Sequence, residues 1–135
     1  MRQAFAALVL AFLVLTTTAA AAGAQPIALS DGTYGSPGEY LAGTWTWDRP
    51  EPRQTMMMTF ERNGGFYYKN LTTGLEHWGS YSVKNDEFHV VVKRSCSEQG
   101  SNCADRDPPL TVENNFKPTS ANVFMSNDER WIRQK

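Results

Sequence analysis

Cysteine and histidine are both scarce in this chain, two of each among 135 residues. No third or fourth ligand accompanies Cys96 and Cys103, and alternation places His77 and His89 on opposite faces of their strands, so no metal site is expected. Basic residues are not in excess. Thirteen Lys and Arg face fourteen Asp and Glu, which leaves no basic stripe for nucleic acid. A basic amphipathic helix suited to a membrane surface is also missing. So are the H-E-x-x-H, G-x-S-x-G and phosphate-loop patterns, and with them any cofactor signal. Catalytic residues are therefore not expected. Past residue 24 there is neither an apolar run of membrane-spanning length nor convincing helical periodicity.

What is present begins with an address. Met1-Arg2 is a short basic start, and Ala4 to Leu15 is an apolar run shorter than the roughly 20 residues of a membrane span. Ala22-Gly23-Ala24 has the A-x-A form of a signal-peptidase site, so residues 1–24 read as a signal peptide. The rest is expected to be secreted or periplasmic, without stable membrane insertion. In that compartment Cys96 and Cys103 are expected to form a disulfide around a short polar loop.

Residues 25–40, rich in Gly, Pro, Ser and Asp, read as an irregular N-terminal arm, and 41–135 as one β domain. Turn signals recur at short intervals: Asn63-Gly64-Gly65, Thr72-Thr73-Gly74, Asn85-Asp86, Pro108-Pro109, Lys117 to Ser120 and Asn127-Asp128. Between them lie eight short strands, near 44–47, 54–61, 66–71, 75–83, 87–94, 110–116, 122–125 and 130–133. Eight antiparallel strands in sequence order close most simply into an up-and-down barrel, which removes both sheet edges. A two-sheet sandwich is the alternative.

Leu41-Ala42-Gly43-Thr44-Trp45, Phe60 before a Gly turn, and Gly79-Ser80-Tyr81-Ser82-Val83 before a second turn carry a resemblance. The chain resembles the small bacterial lipocalin-like domains of the calycin group. Arg133, two residues after Trp131, is similar to the Arg that lipocalins place against the first-strand Trp. The resemblance implies an all-β barrel that binds a ligand inside. The chain departs from full lipocalins in its length, in lacking a Thr-Asp-Tyr motif and in leaving no room for a C-terminal helix. Avidin-like barrels also open on Gly-x-Trp, but no matching series of biotin contacts follows.

Strand alternation sorts the side chains. Met56, Met58 and Phe60 share the inward face with Phe66, Tyr68 and Asn70; so do His77, Tyr81 and Val83, and Phe88, Val90, Val92 and Arg94. Two-residue turns at Thr72-Thr73 and Asn85-Asp86 pair Tyr68 with His77, and His77 with Arg94. The longer loops gather at one end, a mouth, with Trp47 pointing toward it. Trp45 lies at the base, packed by Arg133 or Arg130. Trp47, Tyr68, His77 and Arg94 are thus the candidate ligand-binding residues. Arg94 would clamp an anionic head group, because a guanidinium fork pairs strongly with a carboxylate when partly desolvated. The competing reading lets Arg94 escape to solvent and His77 bond a backbone carbonyl.

The expected function is non-enzymatic binding of a small hydrophobic, amphiphilic or anionic ligand at the open end of the barrel. The alternative is an inhibitor-like protein-binding or envelope structural module. It would use an outer Tyr67/Trp78 patch or the Cys96–Cys103 loop toward a protein partner.

Overall fold

The computed structural model describes residues 25–135; the signal peptide read over 1–24 lies outside them. Residues 25–40 carry a two-strand ladder, β1 (Ile27–Ala28) with β2 (Tyr34–Gly35), and then a short helix, α1 (Pro37–Leu41). Ser36 starts this helix because its hydroxyl accepts from the Glu39 N–H at 3.2 Å, while the Glu39 carboxylate reaches back toward the Ser36 N–H. The helix delivers Tyr40 and Leu41, both fully buried, to the base of the main sheet. There the Tyr40 hydroxyl bonds the carbonyls of Ser120 and Val123, each at 2.9 Å.

The main sheet contains β3 (Gly43–Pro50), β4 (Arg53–Phe60), β5 (Gly65–Asn70), β6 (Glu76–Lys84), β7 (Glu87–Cys96), β8 (Ala104–Asn115), β9 (Lys117–Ser120), β10 (Val123–Ser126) and β11 (Glu129–Arg133). Its order is β8-β7-β6-β5-β4-β3-β11-β10-β9, antiparallel throughout. The expectation of an all-β antiparallel fold holds, and the first and last strands of the domain do pair, Trp45 opposite Arg133. The closed eight-stranded barrel is corrected to a curled, nine-stranded half-barrel.

The ninth strand comes from Lys117 to Ser120, read from sequence as a turn. With nine antiparallel strands the two edges, β8 and β9, run in the same direction. They are consecutive stretches of one chain, joined at the buried Phe116. No ladder links β8 to β10 or β11. Prolines sit on both edges, Pro108 and Pro109 on β8 and Pro118 on β9, where the missing N–H removes ladder donors. Side chains bridge the lower part of this seam instead. Ser126 donates to the Asn115 carbonyl at 2.7 Å, and the Asn127 amide to Asn114 Oδ1 at 2.9 Å.

The turns have the chemistry their sequences announce. Asn85, Asn127 and Asp128 take left-handed backbone conformations, as tight hairpin turns require. An aromatic core follows from the alternation. Trp45 packs edge-on against Phe124 with ring centroids 4.7 Å apart, and Phe60 packs against Phe66, Tyr81 and Phe88 at 5.0 to 5.4 Å. The Trp45 indole N–H is satisfied by the Leu41 carbonyl at 2.8 Å. Gly43 turns the chain from α1 into β3 with φ of 126°, a conformation side chains rarely adopt, and a Cβ there would crowd Arg133.

Candidate ligand cavity

One irregularity decides what faces the inside. From Lys84–Glu87 up to Gly79–Val92 the β6–β7 register is regular and matches the two-residue turn at Asn85-Asp86. Above that point Trp78 pairs with Arg94 and His77 with Ser95, so Lys93 is an extra residue on β7. A β-bulge of one residue reverses the alternation of everything beyond it. The expected inward position of Arg94 is therefore corrected. Arg94 faces outward opposite Trp78, half exposed, and its guanidinium pairs with Asp105 at 3.1 Å. The facing segment of β8, Arg106 to Pro109, bulges at the same level.

With Arg94 outside, Ser95 takes its place beside His77. The His77 ring stacks on Tyr68 with centroids 5.5 Å apart, and its Nδ1 lies 2.7 Å from Ser95 Oγ. Burial lowers the His77 pKa below its ordinary 6.5, and the nearby Arg106 charge lowers it further. The ring is thus neutral at neutral pH. The Tyr68–His77 pairing agrees with the register expected from Thr72-Thr73, as does the outer Lys69–Glu76 pair, an ion pair of 3.4 Å.

Inside the curl lies a cavity of about 260 Å³. Trp47, Tyr68 and His77, three of the four residues singled out from sequence, line it, together with Met56, Met58, Val90 and Val92. On the open side its walls are Leu110, Val112 and Asn114 of β8 against Ser126, Glu129 and Trp131 of the β10–β11 hairpin. These are the two banks of the unladdered seam. The same break that leaves the barrel unclosed thus forms one wall of the cavity.

Glu129 is the residue that sequence reasoning passed over. It begins β11 directly after the Asn127-Asp128 turn, and alternation puts it on the same face as Trp131. That parity was the available signal. Its Oε2 accepts from the Trp131 indole N–H at 3.1 Å. Burial raises the Glu129 pKa above its ordinary 4.5, with the indole bond acting in the opposite direction. Tyr68 is raised as well, first by burial and then by the Glu129 charge. Among the described lining residues Glu129 is the one carboxylate, and no Lys or Arg lines the cavity.

The outer patch is internally tied. Tyr67 and Trp78 pack with centroids 5.4 Å apart, and the Tyr67 hydroxyl donates to Glu76 at 2.7 Å. Asn70, part of an Asn-Leu-Thr sequon, is buried, and its Oδ1 accepts from the Thr72 and Thr73 N–H groups. The Cys96–Cys103 disulfide is formed and joins the end of β7 to the start of β8, compatible with an extracellular or periplasmic location. Among the described residues no helix is long and apolar enough to cross a membrane.

The fold and cavity together define a class: a small curled β-sheet domain with an internal pocket. Compared with protein-family models, curated proteins and solved structures, the chain matches none of them.

Proposed function

We propose that this chain is an exported protein that binds a small amphiphilic molecule in the cavity and does not transform it. The observation that carries the reading is the cavity of about 260 Å³ whose lining is mostly apolar, Trp47, Met56, Val90 and Trp131 among it, with a few polar groups, Tyr68, His77, Asn114, Ser126 and Glu129, set into it. A few polar groups set into an apolar lining is the usual composition of a small-molecule site. The volume lies just below the roughly 300 Å³ at which drug-sized pockets begin, so the ligand is small. The leader over residues 1–24 and the disulfide support export. Without Arg94 inside, an anionic head group has no cationic anchor, so the amphiphilic part of the expectation is the part retained.

Two tryptophans line the cavity, so occupancy should alter intrinsic fluorescence. Titration of the purified protein with six-carbon alcohols should give a saturable change. Val112→Phe, on the edge strand, fills the cavity from one wall and should abolish that change while the thermal transition stays cooperative. If no member of the series perturbs the tryptophans, or Val112→Phe binds as well as the native chain, the reading is wrong.

A further inference from the structure

We infer that the cavity selects a small organic cation, a primary or secondary amine on a short apolar body, with Glu129 as its counter-charge. The inference rests on the cavity being a ligand site. It deepens that reading by naming the head group.

The argument starts from what a ligand would find. Glu129 Oε2 is held by the Trp131 indole, which fixes the carboxylate on the cavity wall. Its second oxygen, Oε1, makes no hydrogen bond among the described residues, and no described buried side-chain oxygen is left both sealed and unpaired. Oε1 is thus free to accept from a ligand. A ligand that displaced water here without supplying a donor would leave a carboxylate desolvated and unpaired, a costly outcome. An ammonium supplies both the charge and the donors.

Other groups on the same side agree. Tyr68 lines the same cavity, and burial and then the Glu129 charge raise its pKa, so its hydroxyl stays protonated and keeps a lone pair that can accept from an ammonium N–H. The Trp47 and Trp131 rings, packed on each other with centroids 5.9 Å apart, both line the cavity and add aromatic surface that favours an organic cation. His77, stacked on Tyr68, is neutral and does not repel a cation. Arg106 acts on His77 from the exposed part of β8 and is not among the lining residues, so the site holds no competing cation. The apolar lining from Met56, Met58 and Val90 would take the apolar body.

The test is a matched set with one tail and three heads: hexylamine, hexanol and hexanoate, titrated at neutral pH by tryptophan fluorescence and by calorimetry. Hexylamine should bind about 10-fold or more tighter than the other two, the scale of one charge-assisted hydrogen bond in a partly desolvated site. Glu129→Gln keeps an acceptor for the Trp131 indole and should erase the preference for the amine over hexanol. Tyr68→Phe should weaken hexylamine alone. If hexanol or hexanoate equals the amine in the native protein, or Glu129→Gln keeps the preference, the head-group assignment fails and the cavity reading stands. If none of the three binds, the cavity reading fails and takes this inference with it.

Discussion

The Arg133 guanidinium lies over the Trp45 indole, 4.2 Å from its ring centroid, at the seam where the last strand meets the first. Its hydrogen bonds go to carbonyls, Tyr40 at 2.6 Å, Ala42 at 2.8 Å and Ala121 at 3.3 Å, and it also lies over the Tyr40 ring at 5.5 Å. One side chain thus ties α1, β3, the β9–β10 turn and β11 into a single base. Removing it leaves three carbonyls short of donors and uncovers a buried indole. Arg133→Ala should cost about 2–4 kcal/mol of unfolding free energy in a denaturant titration. Arg133→Lys should recover only part of this, because an ammonium lacks the planar fork. Equal stability of all three proteins would show that the base is held by the aromatic core alone.

The bulge at Lys93 depends on Gly79. A Cβ at Gly79 would fall on the Val91 carbonyl, backbone against backbone, where no rotamer can relieve the clash. Gly79→Ala should therefore lower stability by roughly 3 kcal/mol or prevent folding. Gly38→Ala, in α1 with open space around it, should be neutral or stabilising by up to ~1 kcal/mol. Comparable melting temperatures for the two variants would count against a close backbone approach at Gly79.

Glu129 gives the ligand-free protein a pH signature. Burial raises its folded-state pKa above the ordinary 4.5, so the folded protein holds this proton more readily than the unfolded chain. The associated stability is complete below pH 4.5 and is lost as pH rises through the raised value. Glu129→Gln cannot titrate. It should be more stable than the native chain at neutral pH, and that advantage should vanish below pH 4.5. An advantage that is independent of pH would mean that the carboxyl pays no desolvation cost.

The loop closed by Cys96 and Cys103 docks on the β5–β6 turn, where the Gln99 N–H donates to the Thr73 carbonyl at 2.6 Å. Opening a loop this short should cost about 2 kcal/mol. Cys96→Ser with Cys103→Ser should show that loss in a denaturant titration and should expose residues 97–102 to limited proteolysis. Unchanged cleavage would mean that docking, not the disulfide, orders the loop.

Much of this arrangement was legible in the residues. Asn85-Asp86 set the lower β6–β7 register, and Thr72-Thr73 brought Tyr68 opposite His77, because a tight turn constrains the pairs nearest to it. Extending the pairing from the turn past Gly79 puts Arg94 inside, whereas the one extra residue, Lys93, reverses the face of all that follow. The competing reading, Arg94 in solvent, describes its place, although His77 bonds the Ser95 hydroxyl and not a carbonyl. Glu129 was overlooked because a carboxylate beside a turn usually faces water.

By itself the sequence determined the antiparallel meander, its turns and the inward aromatic rows. These follow from local propensity and from a period of two, which act over a few residues. Only the tertiary structure decided where the curl stops, that β8 runs on through Phe116 into β9, and that Glu129 and Trp131 face Val112 across an open seam. Those depend on a bulge, on edge prolines and on how far the sheet coils, which are sums over many strands that no single segment encodes.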